Sequence, residues 1–294
     1  MNDKDSKLLN DAAGRSDGTL QPEDYMEPRC VLCDEPYGAA PQVKPVPQQR
    51  IIEKMNDYMS RRDYKGAERH LLYWLEEAKL GQDERGQLML RNELIGHYRK
   101  TGEKEKSLAN AQAALDLVEV LGFENTISAG TTYVNAATAC NAFGENERSL
   151  ELFKKAQAVY ESSPRTDKSL LGGLYNNMAL CCAALGKYEE ALPLYEKAAA
   201  AMAEVPGGAL EQAITYLNIA DMLEKQYGME NSESRIFDLL DQAYELLTGG
   251  HAPEDGYYAF VCEKCAPAFS YYGYFAAAQE LQEKAEKIYK RKSV

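Results

Sequence analysis

The segment from Leu174 to Ala200, LYNNMALCCAALGKYEEALPLYEKAAA, contains the pattern that decides the fold. Ala179 and Cys182 lie three residues apart, which places both on one face of a helix. Gly186 interrupts this pattern, and a second helical pattern follows with Ala198 in its apolar column. Alanine at such positions allows two helix axes to approach towards the low end of the usual range of about 8–10 Å. The segment therefore predicts an antiparallel pair of helices joined by a turn at Gly186.

The same pattern recurs along most of the chain. Glycines recur every 42 residues at Gly102, Gly144, Gly186 and Gly228, and Gly273 follows 45 residues later. The first-helix column contains small or apolar residues, namely Met55, Ile95, Ala137, Ala179, Ala220 and Ala266. The second-helix column contains Trp74, Ala114, Ala156, Ala198, Ala243 and Ala285. A fixed period of this length indicates a repeat array. We therefore expect an all-α fold of about six antiparallel helical hairpins stacked into a superhelix (α-solenoid).

Two units depart from the common pattern. In most units the two columns are 19 residues apart, but in the fifth they are 23 apart. This difference predicts a loop insertion in the fifth unit, near Gly228 to Ser234. In the first unit, Trp74 occupies the position that is alanine elsewhere. A bulky residue there is typical of a terminal, capping repeat.

The columns resemble the tetratricopeptide repeat, and the segment from Leu174 to Ala200 is similar to the long repeats of kinesin light chains. The period supports that subtype, because 42 residues exceed a 34-residue repeat by about two helical turns. The resemblance implies a right-handed superhelix over residues 49–291. It also implies a non-enzymatic scaffold whose first helices line a concave groove that binds a protein or peptide segment.

Polar residues that recur on the first helices are the candidate peptide-binding residues. In the resembled family, groove asparagines hold peptides, and an amide can pair with a peptide backbone because it has both donor and acceptor atoms. The candidates are Asn92, Arg99, Asn135, Thr138, Asn141, Asn176, Asn177, Asn218 and Asp221. The alternative interpretation is that the asparagines bond to neighbouring backbone or bridge adjacent hairpins.

The charge of the groove candidates changes along the array. Arg99 and Lys100 lie towards the amino-terminal end, whereas Asp221, Glu224 and Glu263 lie towards the carboxyl-terminal end. This gradient favours a ligand with one acidic and one basic end. The alternative is that these charges are ordinary solvated side chains.

Residues 1–48 differ in composition from the array. The first 47 residues contain nine acidic residues, five basic residues and six prolines, without a sustained helical pattern. Proline blocks helix continuation, so we predict an acidic, disordered tail. A more apolar segment around Cys30 to Tyr37 suggests an alternative function. In this alternative, the protein is a peptide-sensing regulator whose tail occupies the groove until a partner displaces it.

Two C-x-x-C pairs raise the possibility of metal or redox chemistry. Four thiolates, from Cys30, Cys33, Cys262 and Cys265, could complete a tetrahedral zinc site. The second pair, however, lies in register with packing positions of the fourth unit, so packing within the array can explain it. The alternative function is therefore a metal-binding or redox-responsive regulator that uses the tail pair. The favoured interpretation requires no metal or cofactor.

Composition excludes several classes of protein. The net charge of −13 argues against nucleic acid or an anionic membrane as the main partner. The opening residues lack a secretory pattern, no stretch is apolar enough to span a membrane, and the seven cysteines are odd in number. We therefore expect a cytoplasmic protein with reduced thiols.

Catalysis has little support in the sequence. Metalloprotease, P-loop and dinucleotide-binding motifs are absent, which favours a protein that is not an enzyme. His97 adjoins Tyr98 on a helix and is expected to be a partly exposed structural residue. Aromatic residues concentrate between Tyr257 and Phe275, and we expect part of them in the core and the rest in an exposed contact patch or a dimer interface.

Overall fold

The computed structural model describes residues 43–250 and 252–291, which form twelve α-helices paired as six antiparallel hairpins. The helices are α1 (Gln48–Ser60), α2 (Tyr64–Leu80), α3 (Glu84–Thr101), α4 (Lys104–Val120), α5 (Ile127–Ala142), α6 (Asn146–Ser162), α7 (Lys168–Ala184), α8 (Tyr188–Ala203), α9 (Ala209–Tyr227), α10 (Met229–Thr248), α11 (Gly256–Tyr271) and α12 (Phe275–Arg291). The predicted all-α superhelical array is thus confirmed. Within the described ranges, no helix has both the length and the apolar character needed to cross a membrane.

The first helix of each hairpin forms the inner layer of the array. From α3 to α11, each first helix packs against the first helix of the next hairpin as well as against its own partner. In the part of the chain that the structure describes, successive second helices lack contacts of that extent. The helices α1, α3, α5, α7, α9 and α11 are therefore called the inner helices, and their partners the outer helices. The inner helices approach one another because the array curves towards them.

Small side chains hold the two layers together. In the first-helix column, Ala137, Ala179, Ala220 and Ala266 are fully buried, and alanines of the second-helix column are buried opposite them. This burial joins hairpins two to six in one continuous hydrophobic core. The first hairpin and α3 share a separate cluster: Val46, Ile51, Leu71, Leu75, Ala78, Leu90, Leu94 and Tyr98. Trp74 packs against this second cluster in place of a small residue.

The turns inside the hairpins follow one backbone pattern. The penultimate residue of each short turn adopts a left-handed conformation, with φ values of 77° at Gly102, 81° at Gly144, 72° at Gly186 and 86° at Gly273. The recurring glycines are explained by this conformation, because a side chain disfavours it. The first hairpin is different, since Arg62 occupies the equivalent position with φ of 56°. A left-handed conformation costs a residue with a side chain roughly 1–2 kcal/mol.

The loop insertion predicted for the fifth unit is wrong. Only Gly228 separates α9 from α10, and these two helices have 19 and 20 residues. The four extra residues therefore lengthen the helices rather than form a loop. Ser232 donates a hydrogen bond to the Gly228 carbonyl at 2.6 Å, and Asn231 donates to the Tyr227 carbonyl at 2.8 Å. Both bonds support the first turn of α10, where a loop had been expected.

Residues 43–47 precede α1 without regular secondary structure, while residues 1–42 of the predicted tail lie outside the described residues. Val46 is buried, and its amide donates to Oδ2 of Asp83 at 2.9 Å. The other oxygen of the same carboxylate accepts the Gly86 amide at 2.9 Å and caps α3. Asp83 therefore fastens the segment before α1 to the start of the second hairpin.

His97 is buried rather than partly exposed, contrary to expectation. Only 3% of the residue is accessible to solvent, and Nδ1 has no hydrogen-bond partner among the described residues. Desolvation lowers the pKa of His97, while the carboxylates of Glu68 and Glu103 oppose this effect and Lys106 and Lys100 add to it. His97 follows Leu94 by three residues on α3 and therefore lies on the same face of the helix. Its ring points into the packing between the first two hairpins rather than towards solvent.

Replacing Asp83 by alanine is expected to destabilise the amino-terminal part of the array. The substitution removes the cap of α3 and the bond to Val46, so we expect a loss of about 2 kcal/mol. Urea unfolding followed by the fluorescence of Trp74, the single tryptophan, measures this loss. The control Glu84→Ala alters an exposed neighbour and should cost about 0.5 kcal/mol or less. Equal losses in the two variants would contradict the role of Asp83.

The buried His97 predicts a specific dependence of stability on pH. Because folding lowers its pKa below the unfolded value of about 6.5, its neutral form contributes fully above that pH. This contribution is lost as pH falls through 6.5 towards the folded pKa. The free energy of unfolding should therefore fall more steeply between pH 7 and 5 in the wild type than in His97→Gln. Parallel curves for the two proteins would show that His97 does not titrate in this way.

Candidate peptide-binding surface

All nine predicted binding residues lie on inner helices. Asn92 and Arg99 are on α3; Asn135, Thr138 and Asn141 are on α5; Asn176 and Asn177 are on α7; Asn218 and Asp221 are on α9. The asparagine side chains are half-buried, whereas Arg99 and Asp221 are exposed. The four helices pack side by side, so these residues form rows across the inner layer. We call this set the inner-face residues.

Some of the asparagines join neighbouring hairpins. Nδ2 of Asn92 donates to Oγ1 of Thr132 at 3.0 Å and to the Leu88 carbonyl at 2.9 Å. Oδ1 of Asn92 accepts a bond of 2.9 Å from Nδ2 of Asn135. One amide on the second hairpin is therefore held by a threonine and an asparagine on the third. The alternative interpretation made from the sequence, that asparagines bridge hairpins, applies to this pair.

The same arrangement recurs two repeats later. Oδ1 of Asn176 accepts hydrogen bonds from Nδ2 of Asn218 at 3.0 Å and from Oγ1 of Thr215 at 3.3 Å. Half-buried amides that bond to each other avoid the free energy penalty of unpaired polar atoms. Asn92, Asn135, Asn176 and Asn218 therefore form two bridges, between hairpins two and three and between hairpins four and five.

The interface between hairpins three and four lacks such a bridge. Val134 occupies the position of Asn92 and Asn176, and Leu174 occupies the position of the two threonines. Asn177 corresponds to Asn135 and Asn218, yet its side chain makes no hydrogen bond within the described ranges. The same is true of Asn141, which lies about two turns beyond Val134 on α5. These two amides lie at the middle of the inner layer, and in the described part of the chain they do not take part in the bridges between hairpins.

The other inner-face residues differ in their availability. Thr138 donates to the Val134 carbonyl of its own helix at 2.7 Å, and Asp221 forms an ion pair of 2.7 Å with Lys225. Arg99 is accessible to solvent, but surrounding protein partly desolvates its guanidinium and lowers its pKa. No ion pair is made by Arg99 within the described residues.

A residue that was not predicted also belongs to this surface. Glu93 lies in the same row as Asn135 and Asn177, and desolvation raises the pKa of its carboxyl group. It lines a cavity of about 720 Å³ together with Asn92, Asn135 and the stacked pair of Arg85 and Phe123. Its place in the asparagine row was the signal that could have identified it. The recurring amides of this row drew attention away from its carboxylate at Glu93.

Carboxylates at the far end of the inner layer bond within the array. Glu224 accepts hydrogen bonds from the hydroxyls of Tyr271 at 2.8 Å and Tyr272 at 2.9 Å. Glu263 accepts two bonds from Arg62, at 3.0 and 2.9 Å. The charge gradient read from the sequence is therefore partly neutralised by contacts within the fold.

The aromatic residues of the last hairpin serve mainly to join it to the fifth. Tyr258 donates to the Leu247 carbonyl at 2.7 Å, Tyr257 to Glu211 at 2.7 Å, and Tyr274 to Asp241 at 2.9 Å. Phe269 is fully buried, whereas Tyr271 and Phe275 are largely exposed. The cluster thus contributes both to the core and to the surface, as its composition suggested.

The cysteines of the array are packing residues. Cys262 and Cys265 are buried on α11, and desolvation raises the pKa of both thiols, that of Cys265 to about 12. Metal ligation needs thiolates, which such burial disfavours. Within the described residues, no group of three or more potential ligands could hold a metal ion. Cys30 and Cys33 of the tail lie outside the described part of the chain.

Comparisons with known proteins agree with this architecture. Residues 170–229, which include Asn177 and Asn218, match the family model described as tetratricopeptide repeat. A variant of a Podosopora anserina protein, described as having kinesin light chain nearly identical TPR-like repeats, is similar in structure. The two share 18% sequence identity over 70% of this chain and 96% of that chain, with a TM-score of 0.50. The array has a tetratricopeptide-repeat fold.

A second solved structure, BtubC from P. vanneervenii, has 16% identity over 85% of this chain and 93% of that chain, with a TM-score of 0.48. The sequence matches no curated protein. Tetratricopeptide-repeat arrays are scaffolds that commonly mediate protein interactions. At these identities the likeness concerns the fold, so the choice of ligand must be argued from the inner-face residues themselves.

The two classes of asparagine in the tetratricopeptide-repeat array predict different mutational effects. Asn176→Ala leaves the half-buried amide of Asn218 without its acceptor, whereas Thr215 keeps the Glu211 carbonyl, so we expect a loss of about 1–2 kcal/mol in stability. Asn177→Ala removes an amide with no partner in the described array and should change stability by about 0.5 kcal/mol or less. Urea unfolding followed by circular dichroism compares the adjacent variants. A larger loss in Asn177→Ala would contradict the assignment of the bridges.

Proposed function

We propose that this protein is a non-enzymatic scaffold that binds a protein or peptide segment along its inner layer, with Asn141 and Asn177 making the central contacts. The observation that carries the proposal is that these two amides are the unbridged members of the inner-face asparagines. The array uses Asn92, Asn135 and Asn176 for its own cohesion. An amide that a fold does not need is available for recognition.

The chemistry of these amides suits an extended polypeptide. Each primary amide has two donor hydrogens and an acceptor oxygen, so it can bond to both the carbonyl and the amide of one peptide unit. Such contacts recognise backbone rather than a particular side chain. Arg99 on one side and Asp221 on the other add opposite charges that favour one direction of binding. Asp221 is the weaker contributor, because Lys225 already pairs with it.

The partly desolvated Arg99 adds affinity for an acidic group. This guanidinium has already lost part of its hydration, so a carboxylate of the ligand displaces less water from it than from a fully hydrated lysine. The carboxylate could also bond to the guanidinium in a bidentate manner. The overall charge of −13 favours a protein partner over nucleic acid. We place the interaction in the cytoplasm, in keeping with the composition.

The test compares two variants that carry the same number of substitutions. Asn141→Ala/Asn177→Ala changes the inner layer, and Gln242→Ala/Gln279→Ala changes exposed amides on outer helices. Proteins recovered from native lysate with the wild type are identified by mass spectrometry. The affinity of each purified protein for the main partner is then measured by calorimetry.

We expect the inner variant to lose at least about tenfold in affinity, equivalent to about 1.4 kcal/mol, and the outer variant to bind as the wild type does. Circular dichroism should show the same helical content in all three proteins. Equal affinities of the three proteins would contradict binding at the inner layer.

A further inference from the structure

The first and last hairpins contact each other through the turn between α1 and α2. The guanidinium of Arg62 donates to both carboxylate oxygens of Glu263 on α11, at 3.0 and 2.9 Å. The same guanidinium lies 4.9 Å from the ring centre of Tyr289 on α12. Arg62 and Glu263 are 201 positions apart. In a repeat array each unit normally contacts only its neighbours, so stacking of repeats does not account for this contact.

A second contact supports the first. The ammonium group of Lys100, near the end of α3, lies 5.4 Å from the ring centre of Tyr64 and 5.3 Å from that of Phe260. Tyr64 belongs to the first hairpin and Phe260 to the last, so one cation lies against rings from both ends of the array. Between the two contacts is an open cavity of about 720 Å³, lined in part by Asn56 and Tyr257.

The backbone of Arg62 gives an independent reason to assign it a role. It occupies the turn position that is Gly144 or Gly186 in other hairpins, and it adopts φ of 56°. Glycine would adopt this conformation without the steric cost that arginine bears. A costly conformation points to a function for the residue that adopts it. Here the guanidinium supplies a contact that glycine cannot make.

We propose that the Arg62–Glu263 ion pair and the Lys100–Phe260 contact form a latch that closes the array into a ring and that opens to admit ligands to the inner layer. The latch goes beyond the proposed function, because it concerns the array itself and does not depend on what binds inside. Closure lowers the apparent affinity for any ligand that needs the open form, in proportion to the closed fraction.

The exposure of the latch makes its closure reversible. The side chains of Arg62 and Glu263 are 56% and 51% accessible, so water and salt weaken their attraction. The first hairpin packs in its own hydrophobic cluster with α3 and lies outside the main core, so opening of the latch would place the movement at this cluster. A weak contact between a separately packed end and the rest of the array has the properties of a latch.

Small-angle X-ray scattering of the full-length protein tests the latch by measuring the radius of gyration. In wild type we expect a compact array at about 0.05 M salt and a larger radius at about 1 M, where the Debye length falls to about 3 Å. Arg62→Glu should shift the equilibrium towards the open form by about tenfold and have the larger radius at both salt concentrations. The control Arg61→Glu makes the same charge change next to it. Arg61, which follows the last residue of α1, pairs with Asp57 of that helix, so this control should scatter as wild type.

Two further variants separate closure from stability. Arg62→Gly removes the latch and the backbone cost together, so we expect an open array whose Trp74 unfolding midpoint is equal to or above that of wild type. Arg62→Glu/Glu263→Arg restores opposite charges and should return most of the array to the compact form. Wild-type dimensions in both Arg62→Glu and Arg62→Gly would overturn the latch. A double variant as open as Arg62→Glu would overturn it as well.

Discussion

Close contact between the alanine columns of inner and outer helices is the constraint on which the rest of the structure depends. Ala179 on α7 and Ala198 on α8 are both fully buried, and the equivalent residues of neighbouring hairpins are buried in the same way. Small side chains let helix axes approach closely, and dense packing follows. Because every hairpin from the third onward uses the same contact, these hairpins stack with one repeated geometry. That geometry keeps the inner helices side by side and brings their polar residues into rows.

The rows of polar residues form hydrogen bonds between neighbouring hairpins of the array. Asn92 and Asn176 each accept an amide from the next hairpin, and Val134 replaces them at the intervening position. A half-buried amide costs free energy unless it is paired, so a bridge is favourable where two amides meet and unnecessary where valine stands. Because Val134 stands where Asn92 and Asn176 stand in other hairpins, the amide of Asn177 makes no bridge within the described residues. A residue type that recurs with the repeat period can therefore have different roles in successive units.

The sequence predicts those features that depend on neighbouring residues and on the period. The turn at Gly186 follows from one backbone conformation, and the buried Ala179 follows from helical spacing. The loop expected near Gly228 is wrong. Spacing in the sequence shows that residues have been added, but it does not show whether they form a loop or extend a helix. The burial of His97 was missed because its side chain packs between hairpins, where the pattern within one helix carries little information. The Arg62–Glu263 contact depends on the curvature of the whole array, which accumulates from small rotations at every interface.

Contact between the first and last hairpins changes how the ends of the array are restrained. An open repeat protein behaves as a one-dimensional chain whose terminal units have a single neighbour and lose structure most easily. The bonds of Arg62 give the first hairpin a second neighbour, and those of Glu263 do the same for the last. Each end thereby restrains the other, although the hydrophobic core does not join them directly. The charged side chains at this junction make that restraint weak and sensitive to salt, so the stability of the ends and access to the inner layer depend on the same contact.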